Sequence, residues 1–333
     1  MPEIRQWAEI QEKYQGGTLL LGSGASMAVH PAFGYSSLRE AAQTTGHLTQ
    51  AVNEVFTAFG TDDFELVLRH LWQASLVNKA LIVAPGRVEE AYRQVRAALI
   101  ATVRDIHISY DDASTHFEAI YTFMRGFEPV LSLNYDLIVY WSMMAGNNVL
   151  GRWFKDGFQR GGVFREDWGA LRNPYGADGA TLVFYPHGSL ITARKNDYTE
   201  RQLSAAGGDA FGLLDRILEE WLGGTVVPLF VCEGTTTHKK QAISGSNYLA
   251  RVFWDALPSI SSTLVIYGWS ISDQDEHILE QIKLAKSKLL RIAVSVYGGN
   301  QAEAQRMEAK LAELEVNELV FFDAQSPGCW IHP

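Results

Sequence analysis

Apolar and polar positions alternate along the chain in blocks that predict strands separated by helices. Seven short runs are rich in Val, Leu, Ile or aromatic residues and show little polar alternation, which is typical of strands covered on both faces of a sheet. These runs are residues 18–21, 129–133, 182–185, 226–232, 263–267, 290–296 and 318–322. Helical patterns separate several of them, including residues 248–256, 275–290 and 301–314. The alternation predicts a doubly wound α/β fold with a mostly parallel, Rossmann-like sheet.

The interval between the first two predicted strands is too long for a single crossover helix. Residues 36–127 carry several helical patterns, notably 63–79 and 87–106, and the first of these has a broad apolar face. We therefore predict an all-helical insertion at 36–127 and an α/β domain formed by residues 1–35 and 128–333.

A second irregular stretch, residues 151–180, mixes Gly, Trp, Phe and Arg. Long loops without regular structure commonly serve as lids or binding loops, and the aromatic residues of this one argue against simple disorder. We predict that residues 151–180 form a lid loop over a binding site.

Composition and charge narrow the class of protein. The chain has 333 residues, of which 47% are hydrophobic and 20% charged, as is typical of a globular protein with a substantial core. Its formal net charge of −10 argues against a broad nucleic-acid surface. The N-terminal residues lack the apolar core of a signal peptide, and no run is long enough to span a membrane. We predict a soluble, cytoplasmic protein without a membrane partner.

The first predicted strand ends abruptly in a run of small residues: Gly22, Ser23, Gly24, Ala25 and Ser26. Glycines allow tight turns and close approach to a ligand, and backbone N–H groups beside a helix start favour bound phosphate. The run lacks the third glycine of the G-x-G-x-x-G dinucleotide motif, because Met27 follows Ser26. Residues 22–26 are therefore compatible both with a phosphate-binding loop and with a tight turn that binds no ligand.

Two further polar motifs follow predicted strands. Asn134 and Asp136 come after the apolar run 129–133, where such residues commonly form a turn or a helix cap but also suit hydrogen bonding to a ribose, a water or an amide. His187 and Gly188 follow the run 182–185. Histidine at a strand end is usually a satisfied polar residue, yet it is also the side chain best suited to proton transfer near neutral pH.

A fourth motif, residues 268–270, follows the strand predicted at 263–267 and leads into a polar run. Ser272 there is a candidate helix N-cap, and Asp273, Asp275 and His277 have the spacing of a small metal cluster. Their position at a helix start favours capping and helix-dipole roles, so we predict no metal there. Because ligands of open parallel sheets bind beyond the carboxyl ends of the strands, the four motifs predict a single site.

Taken in order, these motifs resemble those of sirtuins and the wider SIR2-like superfamily. That superfamily shows a G-x-G-x-S phosphate loop, an N-x-D turn, a catalytic HG and a later G-x-S, which correspond here to residues 22–26, 134–136, 187–188 and 268–270. More narrowly, the chain resembles bacterial proteins with a DUF4917 domain. The segments that carry this similarity are GSGASMAVHPAFGYSSL, TDDFELVLRHL, LNYDLIVYW and YGWSISDQDEHIL, and it spans nearly the whole chain.

The chain departs from deacylating sirtuins at one point. Those enzymes have a small domain with a four-cysteine zinc site, whereas this chain has only Cys232 and Cys329. The departure makes peptide deacylation doubtful and predicts no zinc. SIR2-like bacterial proteins without the zinc module often cleave NAD in antiphage defence. The resemblance therefore implies an NAD⁺ glycohydrolase that releases nicotinamide and ADP-ribose, with NAD as its substrate.

The resemblance also implies roles for individual residues. Asn134 and His187 are the catalytic candidates: Asn134 would order the nicotinamide ribose or the attacking water, and His187 would act as general base. The five residues of the 22–26 loop would cradle the pyrophosphate, Asp136 would bind the carboxamide, and Gly268 and Ser270 would line the adenosine end. A non-catalytic sensor or assembly module that binds NAD or ADP-ribose, and ADP-ribosyl transfer to protein, remain alternatives. A protein partner or trigger and a homo-oligomer also remain open.

Overall fold

A central parallel sheet organises the chain in the computed structural model, which describes residues 1–34, 37–195, 197–204, 210–231, 235–285 and 287–333. Its strands are β1 (Ile4–Arg5), β2 (Thr18–Leu21), β3 (Val130–Ser132), β4 (Phe154–Lys155), β5 (Thr181–Phe184), β9 (Thr263–Tyr267), β10 (Arg291–Val296) and β11 (Glu318–Asp323). They hydrogen-bond in the order β1-β11-β10-β9-β2-β3-β5-β4, and every neighbouring pair is parallel. The predicted α/β class and mostly parallel sheet are confirmed.

A smaller antiparallel sheet packs beside the central one. It consists of β6 (Gly188–Lys195), β7 (Glu200–Gln202) and β8 (Val226–Phe230), in the order β7-β6-β8. The apolar run 226–232 was expected among the parallel strands, but β8 pairs antiparallel with β6. A fully buried run has the same composition in either sheet, so the pattern could not identify its partner. Cys232, at the end of that run, lies outside the described residues.

Helices cover the sheet and form the segment between β2 and β3. The helices are α1 (Trp7–Ile10), α2 (Ser23–Val29), α3 (Leu38–Thr44), α4 (Gln50–Phe59), α5 (Phe64–Ala80), α6 (Arg87–Ile106), α7 (Tyr110–Ser114), α8 (Phe117–Met124), α9 (Ile138–Leu150), α10 (Leu213–Leu222), α11 (Thr236–Ser244), α12 (Asn247–Arg251), α13 (Glu276–Leu284) and α14 (Gln301–Leu311). Every regular element in the described residues 37–127 is a helix. The division of the chain into domains at 36 and 127 stays a prediction, and Ser36 lies outside the described residues.

Two hydrophobic cores lie on the two faces of the sheet, as strand β2 illustrates. Leu19 and Leu21 belong to the core that includes the helices of the insertion, whereas Leu20 belongs to the core formed with α11, α12, α13 and α14. All three side chains are fully buried. Because successive strand residues point to opposite faces, a strand covered on both sides must be apolar throughout. Burial of each such side chain contributes about 1.5–3 kcal/mol.

Residues 151–180 include an edge strand and an aromatic loop. β4 pairs with β5, and a short 3₁₀ helix occupies Trp168–Arg172. Phe158 and Phe164 pack against Tyr248, each with a ring-centre distance of 5.0 Å. These contacts hold the segment against the core of α12, so part of the predicted loop is a structural edge of the sheet.

The motifs follow four adjacent strands. β9, β2, β3 and β5 are neighbours in the sheet, and strand order runs in opposite directions on the two sides of the β9–β2 boundary. Such a reversal opens a crevice at the carboxyl ends of the strands, where α/β proteins bind ligands. Within the described residues, no helix combines the length and apolar character needed to cross a lipid bilayer.

Candidate functional site

A cavity of about 270 Å³ lies at the carboxyl ends of these four strands. Its lining combines residues of all four motifs with side chains from α11 and from the loop before α13. The lining residues are Gly22, Ser23, Ser26, Phe33, Ser37, Leu133, Asn134, Tyr135, Asp136, His187, Lys239, Trp269, Ser270, Ser272, Gln274 and Asp275. The structure thus brings together motifs that are separated by more than two hundred residues in sequence.

The glycines of the first and last motifs hold two loops in backbone contact. The N–H of Gly24 donates to the carbonyl of Gly268 over 2.8 Å, and the N–H of Gly22 donates to that of Tyr267 over 2.9 Å. Gly268 has φ +69°, and a Cβ there would lie 2.4 Å from the nitrogen of Ala25. Only glycine accepts both the positive φ and this approach. These glycines therefore have a structural role in joining β2 to β9, whatever ligand the loops bind.

Asn134 is held by two hydrogen bonds of its side-chain amide. Its Nδ2 donates to the carbonyl of Gly22 and to the Oγ of Ser26, each over 2.9 Å. Ser26 in turn donates its hydroxyl to Oδ2 of Asp136. Both amide hydrogens of Asn134 are thereby used, and its Oδ1 accepts no hydrogen bond among the described residues. The network therefore leaves Oδ1 of Asn134 as an oriented hydrogen-bond acceptor at the cavity.

Asp136 is buried and closes the turn after β3. Its Oδ1 accepts from the N–H of Ile138 over 2.9 Å, and the N–H of Leu137 donates to Nε2 of the buried His107 over 3.0 Å. Burial raises the pKa of Asp136, although His107 and the Ser26 hydroxyl act in the opposite direction. Burial also lowers the pKa of His107. No motif of the sequence indicated His107, because it lies in the helical insertion far from all four motifs.

His187 lies at the end of the β5 segment, where Gly188 begins β6. Gly188 has φ +74°, and a Cβ there would lie 2.2 Å from the carbonyl oxygen of Leu229. The carbonyl of His187 accepts from the N–H of Val231 over 2.6 Å. The glycine therefore lets the chain turn sharply from the central sheet into the small sheet, and this turn fixes the position of His187 at the cavity.

A buried ion pair faces His187. Nζ of Lys239 lies 2.7 Å from Oδ1 of Asp275, and Lys239 is only 4% exposed. Oδ2 of Asp275 accepts from Nε1 of Trp269 over 3.2 Å and from Oγ of Ser272 over 3.3 Å. Burial opposes ionisation of Asp275, but the ion pair with Lys239 and the hydrogen bond from Trp269 outweigh it and hold its pKa below the usual value.

Lys239 is a site residue that the sequence analysis missed. It lies on α11, where it shares the buried face with Ala242 and Ile243. That i, i+3, i+4 spacing is the signal that could have distinguished it from a solvated lysine. Ser272 occupies the N-cap position of the 3₁₀ helix Asp273–Asp275, as predicted, and Asp275 occupies that of α13. Neither side chain makes a cap hydrogen bond, and Asp275 binds Lys239 instead. Asp273 lies apart from this cluster and pairs with Lys310.

His187 also contacts a second buried histidine, His277. Their Nε2 atoms lie 2.8 Å apart, and His277 is fully buried. One potential ligand atom of each of His187, Asp275 and His277 lies within 4.8 Å of the others, a grouping that could enclose a cation. The positively charged ammonium of Lys239 already pairs with the carboxylate of Asp275. A metal cation bound to the same carboxylate would be repelled by that charge. The charge arrangement therefore favours an internal ion pair over a metal site.

Most of the predicted site residues line the cavity, but some do not. Gly22, Ser23, Ser26, Asn134, Asp136, His187 and Ser270 border it, whereas Gly24, Ala25 and Gly268 lie in the backbone contact behind it. The carbonyl of Ser270 accepts from Arg306. No residue of the described 151–180 segment borders the cavity. The ligand contacts assigned to these residues, and the lid, stay predictions.

A larger cavity of about 820 Å³ lies elsewhere in the molecule. Trp7, Phe127 and Trp153, which precede β2, β3 and β4, border it, and none of the four motifs contributes to it. Functional groups of parallel α/β sheets converge at the carboxyl ends of the strands instead. The smaller cavity is therefore the candidate site.

No curated protein matches the chain. A solved structure described as "Structural Basis for the Mechanism and Regulation of Sir2 Enzymes" is similar at 10% identity and a TM-score of 0.37, over 95% of this chain and 90% of that one. The model of the DUF4917 family, a domain of unknown function, matches residues 19–330. This chain therefore belongs to the DUF4917 family.

Proposed function

We propose that the cavity binds NAD⁺ and hydrolyses the bond between nicotinamide and ribose. The observation that carries the proposal is the convergence of Asn134 and His187 on one cavity at the carboxyl ends of adjacent parallel strands. The ordered resemblance of the motifs to those of SIR2-like proteins supports the choice of substrate. The assignment to antiphage defence rests on that resemblance alone.

The size and lining of the cavity suit one end of a dinucleotide. At about 270 Å³, the cavity lies near the lower limit of typical ligand pockets, which enclose about 300–1,000 Å³. Asn134, Asp136 and His187 lie together, so we assign the nicotinamide ribose to this part. The 22–26 loop would contact the pyrophosphate, and Ser270 with Gly268 would lie towards the adenosine. Asp136 would receive the carboxamide, although Ser26 and Ile138 already donate to its oxygens.

The proposed reaction consumes one water. As the bond from the ribose carbon to the nicotinamide nitrogen breaks, its electron pair leaves with nicotinamide and the ribose gains oxocarbenium character. Water attacks this carbon and loses a proton to His187, which gives ADP-ribose. Burial lowers the pKa of His187 well below its usual range, as does the charge of Lys239, so the ring is neutral and able to accept a proton. Oδ1 of Asn134 would orient the water or a ribose hydroxyl.

The test is to measure nicotinamide and ADP-ribose released from NAD⁺ by the purified chain. Acid–base help from a positioned side chain is worth about 10²–10⁴-fold, so His187→Ala should reduce turnover by that amount. Asn134→Ala should reduce it comparably with the fold retained. The matched control is His238→Ala, because His238 is exposed and does not border the cavity.

Three outcomes separate the proposal from its alternatives. Release of free ADP-ribose that depends on Asn134 and His187 supports hydrolysis. Appearance of ADP-ribose on an added protein instead indicates transfer. NAD⁺ binding without nicotinamide release would contradict the proposal for this chain and favour a sensor.

A further inference from the structure

We propose that His107 is a positioning residue, which accepts a hydrogen bond from the N–H of Leu137 and so holds the turn that presents Asn134 to the cavity. His107 directly follows α6, in the helical segment between β2 and β3, and it is buried. Its Nε2 lies 3.0 Å from the backbone nitrogen of Leu137, which comes directly after Asp136. The helical segment therefore contacts the turn that carries two of the candidate site residues.

Two hydrogen bonds determine where the proton of the His107 ring resides. The backbone N–H of Leu137 is a donor, so Nε2 of His107 must present a lone pair to it. Nδ1 of His107 lies 2.8 Å from the carbonyl oxygen of Ile108, which is an acceptor, so Nδ1 must carry the proton. The neutral Nδ1–H tautomer satisfies both contacts. In the other tautomer, or in the charged ring, the N–H of Leu137 would face a second N–H group.

Aromatic packing holds the His107 ring in the orientation that these bonds require. The ring centre lies 5.4 Å from that of Phe33 and 5.2 Å from that of Trp141, with interplanar angles of 88° and 84°. Trp141 lies on α9, and Phe33 borders the cavity. Burial lowers the pKa of His107 and outweighs the opposing charge of Asp136. The site therefore favours the neutral ring that both hydrogen bonds need.

The N–H of Leu137 needs this acceptor because it is buried at the start of a helix. Leu137 is fully buried and immediately precedes α9, where the first amides have no partner within the helix. The next amide, that of Ile138, donates to Oδ1 of Asp136 over 2.9 Å. Among the described residues, His107 provides the acceptor for Leu137. A buried amide without an acceptor is costly, so the turn should shift when Nε2 of His107 is removed.

The role of His107 in catalysis rests on the proposed hydrolysis, whereas its tautomer and its hydrogen bonds do not. Asn134 lies three residues before Leu137, and its Oδ1 is the acceptor assigned to the water or to a ribose hydroxyl. A misplacement of about 1 Å can reduce a reaction rate by about 10²-fold. His107 does not border the cavity, so it would affect turnover through the position of Asn134.

The first test is independent of activity. Nitrogen NMR of the ¹⁵N-histidine-labelled chain at pH 7 reports the tautomer of each ring, and His107→Gln identifies the signals of His107. We expect a neutral ring with the proton on Nδ1. An Nε2–H tautomer or a charged ring in the wild-type chain would overturn the proposal, because neither can accept from Leu137.

The second test uses two amide side chains at position 107. His107→Gln can place its oxygen near the former Nε2, whereas the shorter side chain of His107→Asn reaches only the region of Nδ1. Hydrogen exchange of the Leu137 amide should therefore be slow in the wild type and in His107→Gln, and faster in His107→Asn. Equal exchange of this amide in the two variants would contradict the proposal, as would equal acceleration throughout the sheet in His107→Asn. If His107→Asn does not fold, the wild-type tautomer and the exchange in His107→Gln decide.

The third test is kinetic and is made at equal folded fraction. His107→Asn should lower kcat for NAD⁺ hydrolysis by about 10²-fold with KM little changed, and His107→Gln should retain kcat within about tenfold. The matched control is His116→Asn, because His116 lies in the same helical segment, makes no side-chain cap hydrogen bond and does not border the cavity. Equal losses of kcat in the two variants at position 107 would contradict a positioning role. A chain with the expected tautomer and amide exchange but without NAD⁺ hydrolysis refutes only the proposed function.

Discussion

The side-chain amide of Asn134 donates to the hydroxyl of Ser26 over 2.9 Å, which joins two motifs that lie 108 residues apart. The same hydroxyl of Ser26 donates to the buried carboxylate of Asp136. The hydroxyl is thus the shared partner of both polar residues after β3. Its position on α2, directly after β2, links the orientation of Asn134 to the conformation of the glycine loop.

Ser26→Ala should therefore affect both stability and turnover. The substitution removes the acceptor of one Asn134 hydrogen and a donor to buried Asp136, and an unsatisfied buried polar group costs about 1–3 kcal/mol. We expect a loss of that size in the free energy of unfolding by urea. We also expect a lower kcat for NAD⁺ hydrolysis, because Asn134 is less well oriented. Ser244→Ala is the control, since its exposed hydroxyl donates to the carbonyl of Lys240 within α11.

Gly268→Ala should be more destabilising than an alanine at another glycine of positive φ. Gly60, the C-cap of α4, has φ +60° with no atom within 4 Å of an added Cβ, whereas a Cβ at Gly268 would meet Ala25 at 2.4 Å. Gly60→Ala therefore measures the φ penalty alone, about 1–2 kcal/mol. Overpacking adds about 1–3 kcal/mol at Gly268. Equal unfolding free energies for the two variants would contradict the backbone contact between the loops.

The sequence predicts best where burial is uniform and the element is long. The strands at 18–21 and 263–267 and the helix Arg87–Ile106 agree with the structure to the residue. Two-residue strands such as β1 and β4 have no measurable period and were missed. Strand β6 was also missed, because its sequence GSLITARK mixes small, apolar and basic residues. Strand β6 is buried by the elements packed around it, and its own sequence pattern does not indicate that packing.

The residues of the candidate site also differ in how far the sequence could predict them. Asn134, Asp136 and His187 were predictable because each follows a strand of a parallel sheet, and the sheet alone brings strand ends together. Lys239 lies on α11 and His107 directly after the end of α6, and tertiary contacts decide how these helices pack. The contact of His277 with His187 depends on how α13 docks, so the sequence could locate the residue at a helix start but not its partner.

The buried histidines should make the chain sensitive to acid. His277 has a pKa lowered to about 4, whereas the ordinary value in an unfolded chain is about 6.5. Between these values the unfolded state binds more protons than the folded state, so stability falls as pH falls through this window. The contribution of His277 is roughly 3 kcal/mol between about pH 6.5 and 4.

His277→Phe isolates this contribution. Burial raises the pKa of Asp136, and this shift affects stability in the opposite direction. The stability that Asp136 contributes to the fold is lost as pH rises through its folded pKa. The pH dependence of the wild-type unfolding free energy therefore contains contributions from several groups. The difference in unfolding free energy between wild type and His277→Phe reports the contribution of His277. Urea unfolding from pH 7 to 4 should show the smaller acid loss in the variant. Parallel curves for the two proteins would contradict the lowered pKa of His277.

A buried charge cluster joins the helical insertion to the small sheet. Arg194 of β6 lies 3.0 Å from Glu200 of β7 and 4.0 Å from Glu65 of α5, and its side chain is 8% exposed. It also donates to the carbonyl of Gly245 over 2.7 Å. Burial raises the pKa of Glu65, and the charges of Arg69 and Arg194 oppose that rise. The arginine therefore offsets the cost of burying a carboxylate between two parts of the fold.

Arg194→Met should consequently destabilise the chain by about 3–5 kcal/mol, because removal of one partner leaves a buried charge without compensation. Arg251→Met is the matched control, because its pair with Asp255 lies on an exposed helical surface, where such ion pairs contribute little to stability. The loss at Arg194 should also grow as pH rises. Without the arginine, the pKa of Glu65 rises further, and a carboxyl with a raised folded pKa stabilises the fold only while it is protonated. Urea unfolding of Arg194→Met at pH 5 and 8 should therefore give the lower stability at pH 8, and Arg194→Met combined with Glu65→Leu should remove most of that pH dependence. A pH-independent loss would show that Glu65 does not depend on Arg194 for its charge.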